Sequence, residues 1–327
     1  MDSDFSPAWF LPGAHLQTIW GRMTRRRRMV PLRRETIETP DGDELMLDHL
    51  DADSRLHFIL LHGLEGSSNS VYMQGVLSVI AREGHAATAI NFRSCARDPR
   101  DVRRMLPNRR PRFYHSGETG DFDFVLRMLA ARHPHRRLLA FGASLGGNVL
   151  LKWLGDHPGQ QLITAAATLS VPYDLGAGSA HLDRDFVGRL YVARFLATLK
   201  KKVLRGDLAG RVDLDRVRSA RSFRDFDDCA TGPLHGFTGA DDYYERSSSI
   251  RVLDRITTPV LAVSAEDDPF LPREVLERVK RVASPAIDFR VTRKGGHVGF
   301  IGGTRPWQPE YWAEELVVRW LIDKAAA

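Results

Sequence analysis

The sequence has few cysteines and no long hydrophobic run. Cys95 and Cys229 are its two cysteines among 327 residues, too few for a disulfide framework, so we expect free thiols in a reducing compartment. No stretch of about 18 apolar residues is present, so no transmembrane helix is expected. The first residues also lack the basic region and apolar stretch of a secretory signal. These absences predict a cytoplasmic protein.

Motifs for metals and nucleotides are also missing. The sequence contains no His-Glu-x-x-His and no cysteine pair with the spacing of a zinc site. It contains no Gly-x-Gly-x-x-Gly and no P-loop. We therefore expect no metal ion and no cofactor.

The positive charge is unevenly distributed. The formal net charge is +6, and residues 183–225 hold 12 Lys and Arg against 6 Asp and Glu. A second basic run covers residues 25–28. No helix-turn-helix, zinc finger or aromatic-basic repeat accompanies these residues, so nucleic acid is not the expected partner. Phe and Leu are interleaved with the basic residues, which predicts at most a weak association with an anionic membrane surface.

Apolar periodicity predicts strands that alternate with helices. The predicted strands are residues 30–38 and 44–50 (a hairpin), 56–62, 85–92, 137–142, 162–171, 260–264 and 287–292. The predicted helices are residues 71–83, 117–132, 145–157, 273–282 and 309–324. This alternation is typical of an α/β protein with a doubly wound, mostly parallel sheet.

The same pattern divides the chain into segments. Residues 1–29 are aromatic without a clean period, and we expect an arm packed on the core. Residues 30–173 and 250–327 carry the strand–helix rhythm of the core. Residues 174–249 have apolar positions at helical spacing and no strand run. We expect this segment to form a helical cap, inserted over the carboxyl edge of the sheet.

One turn of the chain has the pattern of a nucleophile elbow. Residues 142–146 read Gly-x-Ser-x-Gly, with Ser144 at the centre. An apolar strand enters this turn and a helix-like run leaves it, which is the context that the elbow requires. The small flanking residues allow strand and helix to come close together. Ser144 is therefore the candidate nucleophile.

A base and an acid follow later in the chain, each after a predicted strand. His297 lies in the motif Gly-Gly-His-Val-Gly-Phe, and histidine is the side chain best suited to act as a general base near neutral pH. Asp267 and Asp268 follow the strand at 260–264, and alignment to the end of that strand favours Asp268 as the triad acid. The order Ser, acid, His is that of the α/β-hydrolase fold. Ligands sit at the carboxyl ends of such strands, so we expect these side chains to meet.

Ester cleavage by a serine also requires donors for the oxyanion. The Leu145 amide follows the nucleophile at a helix N-terminus, and the Leu64 amide lies in the loop after the strand at 56–62. We expect these two backbone groups to form the oxyanion hole, and His62 to shape the adjacent turn. The Ser at position 144 points to acyl transfer, whereas an Asp there would have indicated a dehalogenase or an epoxide hydrolase.

Several motifs together resemble one family. They are Phe10 to Trp20, Leu61-His-Gly-Leu-Glu-Gly-Ser67, Asn91-Phe-Arg-Ser-Cys95, Tyr114-His-Ser-Gly-Glu-Thr119, the stretch from Asp227 to Asp268, and Gly295-Gly-His-Val-Gly-Phe300. In these the chain resembles the YheT-type α/β-hydrolases, which are related to eukaryotic ABHD lipases and esterases. Ser94 stands where the family usually has Gly, and Gly120 where Asp is common. The resemblance implies a serine carboxylesterase or lipase-like hydrolase.

The sequence thus predicts a hydrolase that cleaves a small-molecule ester or a lipid through an acyl-enzyme. Phe and Leu positions in the cap suggest an acyl group of short to medium length. Three alternatives remain: an acyltransferase or perhydrolase with the same triad, a non-catalytic binding protein on this fold, and a basic scaffold that binds membrane or nucleic acid. Arg93 and Glu118 have no place in the triad. They either line the acyl pocket or, as we favour, pair with each other and brace loops around the site.

Overall fold

The computed structural model describes residues 5–25, 30–110, 112–205, 208 and 210–326. Residues 26–28 of the first basic run, and residues 206, 207 and 209 of the second basic segment, lie outside the described residues. Among the described residues, both cysteines are free and buried. None of the described helices has the length and apolar character needed to cross a membrane.

All eight strands and all five helices that the apolar pattern predicts are present, together with elements that it does not predict. The strands are β1 (Arg33–Glu38), β2 (Glu44–Leu50), β3 (Leu56–Leu61), β4 (Ala86–Asn91), β5 (Arg137–Ala143), β6 (Ile163–Leu169), β7 (Val260–Ala265), β8 (Ile287–Thr292), β9 (Ile301–Arg305) and β10 (Gln308–Tyr311). The helices are α1 (Ala14–Thr24), α2 (Val71–Arg82), α3 (Gly120–Arg132), α4 (Leu145–Asp156), α5 (Leu175–Leu182), α6 (Phe186–Arg205), α7 (Leu214–Ser219), α8 (Phe223–Phe226), α9 (Gly232–His235), α10 (Ala240–Ser247), α11 (Arg273–Val282) and α12 (Trp312–Ala326). A π-helical turn spans Asp227–Thr231, and 3₁₀ turns span Ser249–Arg251 and Leu253–Arg255.

Eight of the strands form one sheet in the order β1-β2-β4-β3-β5-β6-β7-β8. The pairs β1–β2 and β2–β4 are antiparallel, and all later neighbours are parallel. This confirms the predicted hairpin and the doubly wound, mostly parallel sheet. Buried strands such as β3 and β5 read as nearly continuous apolar runs because helices cover both faces of the sheet.

Two hydrophobic cores lie on opposite faces of the sheet. One contains apolar residues of α3, α4 and α11, and the other contains those of α2 and α12. The connections after β3 and after β5 leave in opposite directions along the sheet, so the strand order reverses between these neighbours. A crevice forms at such a reversal, outside the carboxyl ends of the strands. The Leu64 loop and the Ser144 turn both border this crevice.

Between β6 and β7 the described residues form helices and turns but no strand. We refer to α5–α10 as the cap helices. Val192, Leu196 and Leu199 on the inner side of α6 pack with Phe226 and Val217 in a core of their own. This helical character agrees with the periodicity that the sequence shows in this segment.

The amino-terminal segment, for which the sequence predicts an arm and no particular element, contains helix α1 (Ala14–Thr24), in which Leu16, Ile19, Trp20 and Met23 keep a short helical spacing. At the other end of the chain, one prediction is wrong. The terminal helix does not begin at residue 309, because residues 308–311 form strand β10, which pairs with β9. These two strands contain Gly302 and Gly303 and few apolar residues, so they carry almost no alternation that sequence analysis can detect.

Candidate active site

Ser144 lies at the sharp turn between β5 and α4. Its backbone has φ 51° and ψ −123°, a left-handed conformation that is strained for a residue with a side chain. A Cβ atom on Gly146 would lie 2.5 Å from the carbonyl oxygen of Leu61, and one on Gly142 would lie 2.5 Å from that of Gly146. Both flanking positions therefore require glycine. The turn lifts the Ser144 side chain clear of the backbone, as the sequence motif predicts.

Asp268, His297 and Ser144 form one hydrogen-bonded line. His297 Nε2 lies 2.9 Å from Ser144 Oγ, and His297 Nδ1 lies 2.9 Å from Asp268 Oδ2. An ionised carboxylate only accepts hydrogen bonds, so we assign the ring proton to Nδ1. Nε2 then presents its lone pair to the serine hydroxyl. Asp268 is 5% exposed, so few water molecules compete with the imidazole for hydrogen bonds to its carboxylate.

The structure brings Asp268 to His297, whereas Asp267 faces the backbone. Asp267 Oδ1 accepts a hydrogen bond of 2.9 Å from the Gly296 amide. Burial raises the pKa of Asp267, and the neighbouring charge of Asp268 adds to this increase. Asp268 also accepts a hydrogen bond of 2.8 Å from the Phe270 amide, which orients its carboxylate. Asp267 therefore shapes the histidine loop, and Asp268 contacts the histidine ring.

The amino-terminal helix α1 holds the loop that carries His297. Thr18 Oγ1 accepts a hydrogen bond of 2.9 Å from the His297 amide. A Cβ atom on Gly296 would lie 2.4 Å from the carbonyl oxygen of Ala14, so loop and helix are in close contact. Gln17 is buried and bonds both backbone groups of Ile301, just after the loop. The arm is thus part of the support of the candidate base.

Two further residues orient the imidazole from the other side. The ring of Phe270 stacks on that of His297, with centroids 4.2 Å apart and planes 25° apart. Ser170 Oγ accepts a hydrogen bond of 2.9 Å from the Val298 amide. Ser170 and Val298 both have positive φ, of 52° and 59°. Such strained backbone is retained where the surrounding contacts fix it, and it clusters at functional sites.

The candidate oxyanion donors lie on the two loops that approach Ser144. Leu145 begins α4, so its amide belongs to the free N-terminal end of that helix. A Cβ atom on Gly63 would lie 3.0 Å from Ser144 Cβ, which shows how closely the Leu64 loop passes. In the part of the chain that the structure describes, the amides of Leu64 and Leu145 have no acceptor. Both are free to donate to a ligand.

Buried side chains fix the loop that carries Leu64. The Gly63 amide donates to Tyr72 Oη at 2.7 Å. His62 Nε2 accepts from the Phe92 amide at 3.1 Å, and its Nδ1 lies 2.7 Å from the carbonyl oxygen of Gly63. Burial lowers the pKa of His62 to about 3, so this ring is neutral. His62 has the turn-shaping position that the sequence predicts.

A buried ion pair connects this loop to the cap. Lys202 Nζ on α6 lies 2.5 Å from Glu65 Oε1, and both side chains are only 7% exposed. Tyr114 Oη accepts a hydrogen bond of 2.6 Å from the Glu65 amide. Lys202 also lies 3.2 Å from Cys95 Sγ and 5.0 Å from the centroid of the Tyr114 ring. Burial works against the charged form of Lys202, but its neighbours, Glu65 among them, leave a net increase in its pKa.

A cavity of about 830 Å³ opens between α1, the cap helices and the carboxyl edge of the sheet. Ser144, His297 and Leu64 line it. Most of its remaining wall near the cap is apolar or aromatic: Leu182, Tyr191, Phe195, Leu199, Phe223, Phe226 and Phe270. His15 on α1 is exposed, and its Nδ1 lies 3.3 Å from Tyr191 Oη. The Ser144 hydroxyl thus faces a space suited to an apolar chain.

The predicted pairing of Arg93 with Glu118 is wrong. Arg93 instead pairs with Asp41, Asp43 and Asp121, the closest contacts being 2.9, 2.7 and 2.7 Å. Glu118 pairs with Arg112. Both groups brace loops, as expected. The partners of Arg93 are 28 or more positions away in sequence and have no local signal, whereas the partner of Glu118 is six positions away.

His115, Glu118 and His235 place their ligand atoms within 4.8 Å of one another. Burial lowers the pKa of both histidines, so their rings are neutral. The guanidinium of Arg112 already pairs with Glu118 and would repel a cation at this point. We interpret these side chains as part of the network that fixes the motif at residues 114–119.

Sequence analysis missed the groups that support the candidate site: Gln17, Thr18, Ser170, Phe270 and Lys202. Gln17 and Thr18 belong to the motif at residues 10–20 that resembles the family, so the sequence marked them but did not indicate what they do. Lys202 appeared only as one of the basic residues of the segment 183–225. Its burial depends on the fold of the cap, which periodicity does not reveal.

Comparison with known proteins identifies the family. Residues 57–304 match the family model described as the alpha/beta hydrolase fold. The chain belongs to the α/β-hydrolase fold family. This hydrolase is 35% identical to YheT of Escherichia coli, covering 98% of this chain and 93% of that one. This confirms the resemblance to the YheT-type proteins.

Other relatives and structures agree with this assignment. Phospholipase ABHD3 of Mus musculus is 30% identical to the hydrolase, covering 90% of this chain and 72% of the relative. The monoacylglycerol lipase of Saccharomyces cerevisiae is 27% identical, covering 86% and 65%. The structure of the Pyrococcus furiosus esterase Pf2001 superposes with a TM-score of 0.57 at 19% identity, covering 88% of each chain. That likeness shows the shared fold.

Proposed function

We propose that the protein is a serine hydrolase that cleaves carboxylic esters through an acyl-enzyme intermediate. The observation that carries this proposal is the hydrogen-bonded line from Asp268 through His297 to Ser144, at the edge of an apolar cavity. The relatives YheT, which is named an esterase, the monoacylglycerol lipase and the phospholipase support the same reaction class.

In the first half of the reaction, Ser144 Oγ attacks the ester carbonyl carbon. His297 Nε2 takes the serine proton, and Asp268 stabilises the resulting imidazolium. The carbonyl oxygen becomes an oxyanion, which accepts hydrogen bonds from the amides of Leu64 and Leu145. The bond to the alcohol then breaks, and His297 returns the proton to the departing alcohol. Ser144 is left as an acyl ester.

In the second half, a water molecule takes the place of the alcohol. His297 removes a proton from the water, whose oxygen attacks the acyl carbon through the same oxyanion site. Ser144 leaves with the proton from His297, and a carboxylic acid is released. An acyltransferase or perhydrolase would differ only in the acceptor, with an alcohol or hydrogen peroxide in place of water. Product analysis with each acceptor distinguishes these reactions.

The proposal is tested by the turnover of p-nitrophenyl esters with Ser144→Ala. We expect kcat to fall by about four orders of magnitude or more, because the variant has no nucleophile. Ser219→Ala, in which an exposed hydroxyl of α7 is removed, is the matched control and should retain full activity. Circular dichroism confirms that both variants are folded. Unchanged turnover by Ser144→Ala would exclude the mechanism.

A further inference from the structure

Exposed apolar side chains are concentrated around the cavity. Among the described residues, ten large hydrophobic side chains are exposed. Seven of them lie on α1, on α6 or in the loop at residues 97–105, three segments that line the cavity. We call these seven the rim surface: Leu16, Met23, Val102, Phe186, Val187, Leu190 and Leu204. Phe186 is 70% exposed and Met23 75%. Single exposed apolar side chains are common, but a group of them beside a cavity marks an interaction surface.

The outer face of α6 combines apolar and basic residues. The helix contains six Lys and Arg and no Asp or Glu between Phe186 and Arg205. Lys202 pairs with Glu65, and Lys200 donates to the carbonyl oxygens of Arg218 and Ala220. The other four cations all lie on the exposed side: Arg189, Arg194, Lys201 and Arg205.

Part of the rim surface lies at the cavity. Met23 and Val102 are exposed and line the cavity, and the exposed Arg194 lines it as well. Arg194 lies one helical turn after Leu190, on the same stripe of α6. His15 on α1 stacks on Tyr191 of α6, which joins the two helices beside the mouth. A partner that covers Leu190 and Met23 would therefore lie over the entrance to Ser144.

The chemistry of this surface selects one kind of partner. Nucleic acid would match the arginines and lysines but gives no burial to Phe186 or Leu190. A neutral apolar surface would bury the hydrophobic side chains but leave the cations without counter-charges. An anionic lipid bilayer satisfies both, because its acyl chains take up the apolar side chains and its phosphates attract the basic ones. The same mixture marks amphipathic helices that lie in a membrane interface.

We propose that the rim surface docks on an anionic lipid bilayer, with the outer face of α6 in the interface and the cavity mouth toward the lipid. The purpose of the docking rests on the proposed ester hydrolase function, because a docked enzyme could take an ester lipid from the bilayer to Ser144 without the lipid crossing water. The docking itself requires no catalysis. It is therefore measured independently of turnover.

Co-sedimentation with vesicles tests the docking. The full-length protein is mixed with vesicles of phosphatidylcholine alone, or of equal parts phosphatidylcholine and phosphatidylglycerol. We expect binding to the anionic vesicles, with partitioning at least about tenfold weaker to the neutral ones. Phe186→Ser with Leu190→Ser should reduce partitioning into anionic vesicles by about tenfold or more, because two apolar anchors are lost. Val282→Ser, in which an exposed apolar side chain of α11 is removed, is the control and should bind like wild type.

A second variant separates charge from apolar contact. Lys201→Gln with Arg205→Gln should weaken binding to anionic vesicles by about tenfold and leave the weak binding to neutral vesicles unchanged. Neither double variant alters a cavity residue, so hydrolysis of a short soluble p-nitrophenyl ester should stay at the wild-type rate. Retained hydrolysis shows that the variants are folded.

Four results would overturn the docking proposal. The first two are that the wild type does not bind anionic vesicles, and that the Phe186→Ser, Leu190→Ser variant binds them as well as the wild type. The third is that duplex DNA displaces the protein from vesicles at physiological ionic strength, which would indicate a nucleic-acid surface. The fourth is that the protein forms a dimer that this double variant dissociates, which would indicate an interface between two copies of this chain. Vesicle binding without any ester hydrolysis would instead contradict the proposed function and leave the docking intact.

Discussion

The side-chain amide of Gln17 hydrogen-bonds both backbone groups of Ile301, donating to the carbonyl oxygen at 3.0 Å and accepting from the amide at 2.7 Å. Gln17 is 1% exposed, so water does not replace these bonds. Through them α1 fixes the segment that leaves the His297 loop. The amino-terminal arm is therefore a structural component of the candidate catalytic site.

We predict that Gln17→Ala reduces kcat about tenfold or more, because the position of His297 is loosened, and has a smaller effect on KM, because Gln17 is only one of many side chains that line the cavity. It should also lower the free energy of unfolding by about 2–3 kcal/mol, since two backbone groups lose their partners. Steady-state kinetics and urea denaturation measure the two effects. Thr24→Ala, which removes an exposed hydroxyl bond within α1, serves as the control. Equal kinetics for the two variants would refute a positioning role for Gln17.

The two adjacent aspartates should differ sharply in their effect on activity. Asp268→Asn removes the charge beside His297 and favours the wrong ring tautomer, so kcat should fall by about three to four orders of magnitude. Asp267→Asn retains an oxygen that can accept from the Gly296 amide, so its activity should stay within about tenfold of wild type. Kinetics of both variants on one ester provide the comparison. A larger loss for Asp267→Asn would reassign the acid.

The buried pair of Lys202 and Glu65 should matter for stability. Lys202→Met leaves the Glu65 carboxylate buried without its cation, and we expect a loss of about 3–5 kcal/mol in the free energy of unfolding. Lys201→Met, at an exposed neighbour on the same helix, should change it by less than about 0.5 kcal/mol. Adding Glu65→Gln to Lys202→Met should recover part of the loss, because the unpaired charge is removed. Urea denaturation distinguishes these outcomes; an unchanged midpoint for Lys202→Met would contradict this role.

Asp227 should make the stability depend on pH. Burial raises its pKa to about 7 and the nearby charge of Asp228 adds to this, although hydrogen bonds from Thr231 and Tyr244 oppose it. The unfolded chain has a pKa near 4, so the folded state holds the proton more tightly. The contribution of Asp227 is therefore fully present below about pH 4 and is lost as pH rises toward 7, by up to about 4 kcal/mol.

Comparison with Asp227→Asn isolates this effect. Glu314, whose pKa burial also raises to about 7, is present in both proteins, so its contribution cancels in the difference. We expect the free energy of unfolding of wild type, relative to Asp227→Asn, to decrease between pH 5 and pH 8. Urea denaturation at both pH values gives the difference. A constant difference would show that Asp227 titrates as in the unfolded chain.

The sequence predicts those parts of the site whose residues are close together in the chain or follow the ends of neighbouring strands. The elbow around Ser144 is local, and its strand, turn and helix are adjacent in the chain. Asp268 and His297 could be placed because each follows its own strand and the ends of parallel strands meet at one edge. Gln17 could not, because its partner Ile301 is 284 positions away in sequence and α1 has too few turns for a clear period.

Ionic partners were the least predictable part of the fold. Arg93 pairs with three carboxylates, two from the turn between β1 and β2 and one from α3. Lys202 is one of three consecutive lysines, and only the folded structure determines which of the three is buried. Composition marks such residues as charged and solvated, whereas long-range packing determines the pair that each one forms.

The most direct test of the central claim is mass spectrometry of the protein after brief reaction with a p-nitrophenyl ester and an acid quench. The account predicts one added acyl group, located on the peptide that contains Ser144, and a reduced amount of this adduct in His297→Ala. Ser144→Ala should carry no adduct. An acyl group on another residue, or steady hydrolysis by Ser144→Ala at the wild-type rate, would contradict the account.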